Sequence, residues 1–121
     1  MEVRRYTYSI GNGSSMALSD TAFTALAEAA LSRLANAMEL LDEEGEIEVE
    51  LLNGVLSIDL PSGRQFIVNR HMPSHQLWLS SPLSGGLHFG YDERAQDWML
   101  RDGRKLESLL KAEVETLMTE K

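Results

Sequence analysis

From Ser19 onward, apolar residues recur every three or four positions: Phe23, Leu26, Ala27, Ala30, Leu31, Leu34, Ala37, Met38 and Leu41. That spacing draws one apolar stripe along a helix. Ser19 is its N-cap, Asp20 sits in its first turn and Gly45 stops it, so a first helix is expected over about Asp20 to Glu44. Asp20, Thr24, Glu28, Ser32, Ala35 or Asn36, Glu39 and Asp42 then face outward.

Beyond Gly45 the period changes from helical to two. Glu46-Ile47-Glu48-Val49-Glu50-Leu51 alternates, and Asn53-Gly54 supplies the positive φ that a two-residue type I′ hairpin turn needs at both central positions. A turn there pairs Leu52 with Val55, Leu51 with Leu56, Val49 with Ile58 and Ile47 with Leu60, which gathers the last three pairs on one face. The opposite face then sets Glu50 across from Ser57 and Glu48 across from Asp59. Two like charges in direct opposition destabilise a sheet, and the pair calls for a cation nearby.

Pro61-Ser62-Gly63 makes the next turn, and further strands are expected at Arg64–Arg70, Gln76–Ser80, Leu87–Tyr91 and Gln96–Arg101, with a loop from Pro82 to Gly86. In the strand at Gln76, Leu77 and Leu79 share one face, while Gln76, Trp78 and Ser80 share the other. An indole between two polar neighbours points away from a core. After the Asp102-Gly103 turn, Leu106, Leu109, Leu110, Val114, Leu117 and Met118 return to helical spacing. The order helix, run of strands, helix predicts an α+β two-layer sandwich: an antiparallel sheet of about six strands covered on one face by N- and C-terminal helices.

Length and composition narrow the function classes. A chain of 121 residues, 43% of them hydrophobic, forms one domain with one core. It has no Cys, which removes disulfides, thiolate catalysis, zinc-finger chemistry and cysteine-held clusters together. A formal net charge of -8 disfavours a nucleic-acid backbone or an anionic membrane and favours a basic protein surface or a cation. No apolar run approaches a membrane span, and residues 1–17, with Arg4, Arg5 and the Gly11–Ser15 linker run, read as an N-terminal tail ahead of a domain over 18–121.

Seven carboxylates lie between Glu39 and Glu50 (Glu39, Asp42, Glu43, Glu44, Glu46, Glu48, Glu50) with no Lys or Arg among them. Such a run ordinarily marks a solvated face. Here it spans a helix end and the first strand, which brings the acids toward one ridge, and carboxylates without thiolates suit hard or borderline divalent cations such as Fe²⁺ at modest affinity. His71 and His75 lie four apart, but Pro73 between them forbids the helix that would make them a metal pair, so they are expected as solvent-exposed loop histidines. No nucleophile–base pair and no phosphate-binding glycine loop occurs. Gly11-Asn12-Gly13 lacks the flanking strand and helix.

The run Asn69-Arg70-His71-Met72-Pro73-Ser74-His75-Gln76-Leu77-Trp78-Leu79-Ser80-Ser81-Pro82, followed by Ser84-Gly85, closely resembles the central signature of frataxins. The resemblance extends through Asn53-Gly54-Val55-Leu56 upstream and Asp97-Trp98 and Asp102-Gly103 downstream, covering roughly Leu18 to Met118. It implies an accessory protein of iron–sulfur cluster assembly that binds a cysteine desulfurase and its scaffold protein, modulates sulfur transfer and carries Fe²⁺ weakly on surface carboxylates, with no tightly bound cofactor. The implied iron residues are Asp20, Glu28, Glu39, Asp42, Glu43, Glu44, Glu46 and Glu48. The implied partner contacts are Asn69, His71, Ser74, Gln76, Trp78 and His88.

The chain departs from the family pattern at Thr24, Ala25, Ala29, Ser32 and Arg33, where members usually carry more acids, so the ridge is thinned at its N-terminal end. His75-Gln76 is similar to bacterial members, and Trp78-Leu79-Ser80-Ser81-Pro82 to mitochondrial and alphaproteobacterial ones. The resemblance thus implies the mitochondrial matrix, for a processed form, or the bacterial cytoplasm, and a monomer that can oligomerise with iron. Two other classes stand beside this reading: ferroxidase or iron-storage activity at the carboxylates, and a small acidic export chaperone.

Overall fold

The computed structural model describes residues 18–120, so the expected tail lies outside the described residues. Helix α1 spans Asp20–Leu41, and the Ser19 hydroxyl accepts the Ala22 N–H at 3.0 Å, satisfying one of the donors that a helix start leaves open. Phe23, Ala27, Ala30, Leu31, Leu34 and Met38 are buried along it.

The helix ends three residues before the expected Glu44. Asp42 leaves helical geometry, and its carboxylate accepts the Glu46 N–H on one oxygen and the Ile47 N–H on the other, each at 2.8 Å. A side chain that offers the backbone an alternative to the helix ladder terminates it. The same two bonds explain why the first strand starts at Glu48 and not Glu46, since those N–H groups are already taken.

The sheet is a six-stranded meander of β1 (Glu48–Leu52), β2 (Val55–Asp59), β3 (Gln65–His71), β4 (Gln76–Ser81), β5 (Gly85–Asp92) and β6 (Asp97–Met99), each antiparallel to the next. The β1–β2 turn has positive φ at Asn53 (52°) and Gly54 (78°), and the register Leu52↔Val55, Leu51↔Leu56, Val49↔Ile58 is the expected one. The ladder stops at Glu48↔Asp59, one position short of the expected Ile47–Leu60 pair, although both of those residues are buried.

Two other boundaries differ from expectation. Gly85 and Gly86 pair with Ser81 and Ser80 inside β5, and the connection is only Pro82–Ser84. The Ser81 hydroxyl accepts the N–H groups of Leu83 and Ser84, at 2.9 and 3.0 Å, and donates to Glu113 Oε1 at 2.6 Å, which closes the turn in three residues. Strand β6 is shortened because Gln96 adopts positive φ in the preceding turn and Leu100 enters the following one, hydrogen-bonded to Arg104.

Helix α2 (Leu106–Thr119) buries Leu106, Leu109, Leu110, Val114 and Leu117. With α1 it packs on the sheet face formed by Leu56, Ile58, Phe66, Val68, Leu77, Leu79, Phe89 and Trp98. The expected two-layer α+β sandwich is the fold observed. The opposite sheet face has no layer over it among the described residues, so whatever its side chains meet must come from outside the domain core.

Candidate interaction face and acidic ridge

Alternation along β4 buries Leu77 and Leu79 beneath the helices and leaves Trp78 on the open face, where it was expected. The indole is half-buried even so. The His71 ring stacks on one side with centroids 3.7 Å apart and an interplanar angle of 12°, and the His88 ring stacks on the other at 4.0 Å and 9°.

The register explains the sandwich. His88 stands directly across from Trp78 on β5, and His71 is its diagonal neighbour on β3, two residues beyond Asn69, its direct partner there. The indole N–H donates to Gln76 Oε1 at 2.9 Å, His71 Nδ1 and Ser74 Oγ share a hydrogen bond of 2.7 Å, and the Asn69 amide donates to the Arg70 carbonyl at 3.1 Å. His71, Ser74, Gln76, Trp78 and His88 therefore form one connected group, and Asn69 stands beside it as the cross-strand partner of Trp78. The bound neighbours fix the orientation of the indole, and a pre-oriented aromatic loses less entropy when a partner covers it.

His75 does not belong to this group. The left-handed backbone at His75 (φ 54°) follows a single helical turn at Met72–Ser74 and aims its ring the other way, toward α1. There Nε2–H donates to Asp20 Oδ1 at 2.7 Å and the ring stacks on Phe23 with centroids 4.9 Å apart. The expectation of two solvent-exposed loop histidines is thus corrected for both: each packs against an aromatic, on opposite faces of the sheet. No local sequence pattern encodes either contact.

The acidic residues divide into two groups. Three of those expected to hold iron already have partners: Asp20 with His75, Glu28 with Arg70 Nη1 at 2.9 Å, and Asp42 with two backbone N–H groups. Glu39, Glu43, Glu44, Glu46 and Glu48 are exposed along the end of α1, the loop and β1. Among the described residues no three carboxylates or imidazoles converge as a metal-ion cage. Glu48 does oppose Asp59, but the partner that reaches Asp59 is neutral: Gln65 Nε2 donates to Asp59 Oδ1 at 2.6 Å from the next strand. An amide thus relieves part of the opposition at Asp59.

A helix-backed sheet with a braced aromatic on its open face and acids spread along one margin defines a two-layer domain of the α+β class. A family model described as the frataxin-like domain matches residues 16–120. The chain is 32% identical over 117 residues to the mitochondrial frataxin homolog of Schizosaccharomyces pombe, covering 93% of this chain and 72% of that protein. It is 34% identical over 106 residues to the iron–sulfur cluster assembly protein CyaY of Pseudomonas fluorescens, covering 84% and 94%. Trimeric frataxin from the yeast Saccharomyces cerevisiae, solved as a ferrous complex, superposes with a TM-score of 0.67 at 33% identity, covering 78% of this chain and 87% of that one. The chain belongs to the frataxin family of iron–sulfur cluster assembly proteins. Its relatives include both mitochondrial and bacterial members, and no helix among the described residues is long and apolar enough to cross a membrane.

Proposed function

We propose that this protein is a non-catalytic accessory of iron–sulfur cluster assembly that docks on a complex of cysteine desulfurase and scaffold protein and modulates sulfur transfer. The observation that carries the reading is Trp78, held between the His71 and His88 rings on a sheet face that the helices leave open. Asn69, Gln76 and Trp78 meet the scaffold side, and the acids from Glu39 to Glu50 meet a basic surface of the desulfurase. Fe²⁺ is cargo in this reading, bound weakly by exposed carboxylates and water, as hard oxygen donors on a shallow surface would hold it. The ferrous complex of the yeast relative supports that role.

A pull-down against the cognate desulfurase, with and without scaffold and at two salt concentrations, tests it. Trp78→Ala should weaken capture at least tenfold, since a truncated aromatic anchor costs about 2 kcal/mol or more of binding. Wild-type affinity in that variant, with the fold intact, would move the interface elsewhere.

A further inference from the structure

Trp78 is the middle of a longer row. Leu52 pairs with Val55, Val55 with Asn69, Asn69 with Trp78 and Trp78 with His88, so one line of side chains crosses five strands of the open face from the β1–β2 hairpin to β5. The end of that row is apolar and uncovered: Leu52 is 60% exposed and Val55 37%. Of the five large hydrophobic residues most exposed among the described ones, three (Leu51, Leu52 and Val55) belong to this one hairpin. Single exposed leucines need no explanation, whereas two that adjoin in register, on the face and row of a braced aromatic, form a patch.

The charged side chains of β1 and β2 are all acidic, and the Arg70 guanidinium, which lies across Gly54 at the turn, is engaged by Glu28 of α1. Glu50 lies two residues before Leu52 on the same strand and face, and the next row carries Glu48 and Asp59. No Lys or Arg occupies a position of β1 or β2.

We infer that the docking surface runs from Trp78 along this row to the hairpin, where Leu52 and Val55 receive an apolar side chain of the partner and Glu50 receives a lysine or arginine beside it. The occupant is a protein segment of mixed apolar and basic character within the desulfurase–scaffold complex. This rests on the reading of the open face as the docking face. Leu52 and Val55 supply water exclusion at one end, Trp78 supplies the anchor, and Glu50 fixes which way the segment lies.

The test measures affinity for the cognate desulfurase–scaffold complex with a Leu52→Thr/Val55→Thr double variant, since Thr is β-branched and suits both strand positions. Leu83→Thr, an exposed leucine in the β4–β5 turn off the row, is the control, and Trp78→Ala reports on the docking face itself. The double variant should bind about tenfold more weakly with a melting temperature near wild type, and Leu83→Thr should be unchanged. Glu50→Gln should weaken binding at low salt and flatten its salt dependence. If Trp78→Ala loses affinity while the double variant keeps it, the hairpin anchor is overturned and the docking face stands. If neither loses affinity, both are overturned. Equal losses in the double variant and Leu83→Thr would also overturn the anchor, because exposed apolar area anywhere would then serve.

Discussion

The Arg70 guanidinium reaches Glu28 on α1 at 2.9 Å, bridging 42 residues of sequence, and it does so by lying across Gly54 in the first hairpin. The Arg70 N–H also donates to the Gly54 carbonyl at 3.0 Å. Helix, hairpin and third strand are thereby tied at one point, at the end of the sheet that carries the Leu52–Trp78 row.

Gly54→Ala should therefore be costly for two separable reasons. Its φ of +78° disfavours any L side chain by about 1 to 2 kcal/mol, and a Cβ would fall 2.6 Å from Arg70 Nε. In an Arg70→Ala background the steric part disappears, so urea denaturation should show Gly54→Ala costing less there than in wild type. Equal costs would mean that the guanidinium swings aside freely. Glu28→Gln should lose under about 1 kcal/mol, because the Glu28 side chain is 61% exposed.

Neutralising Glu48 should stabilise the protein slightly. It stands across from Asp59, and removing one of two opposed charges recovers a few tenths of a kcal/mol. Asp59→Asn should likewise melt at or above wild type, since an Asn oxygen can still accept the Gln65 amide. Gln65→Ala should melt lower. Thermal melts at low ionic strength read all three, and a clear drop for Glu48→Gln would show a cation satisfying this corner.

Fe²⁺, or Co²⁺ as a surrogate, should perturb the acids in a definite order. The backbone amides of Glu43, Glu44, Glu46 and Glu48 should broaden first in an NMR titration, ahead of Asp20, Glu28 and Asp42, whose carboxylates would have to give up existing bonds. Asp42→Ala should leave the metal response nearly intact and lower stability by about 1 to 3 kcal/mol, the cost of removing a charged acceptor from two backbone donors. First broadening at His71 or His75 would place the metal elsewhere.

Trp78 fluorescence should respond to its two imidazole neighbours. In a Trp98→Phe background, which removes the buried indole, acrylamide should quench Trp78 only moderately because both ring faces are covered. His88→Ala should raise the quenching, and adding the desulfurase–scaffold complex should suppress it in both proteins. Full quenching in wild type would mean that the stack is open in solution.

The local part of this protein was determined by the sequence alone. Period-3.6 and period-2 spacing located both helices and all six strands, and Asn53-Gly54 set the register of the first hairpin residue by residue, because a two-residue turn admits one pairing. The outward side of Trp78 followed from Leu77 and Leu79, since alternation leaves a strand residue no other choice. What tertiary structure alone decided are the contacts between side chains far apart in the chain. Asp42 is a local exception: it became a cap where a ridge ligand was expected, because the loop after α1 turned two nearby N–H groups to its carboxylate. His71 and His75, alike in sequence, were sent to opposite faces by one left-handed residue, and Asp20 and Glu28 were claimed by partners from the β3–β4 region. Periodicity specifies which face a residue joins. Which neighbour it meets there depends on strand order and helix placement, and these are fixed only when the whole core closes.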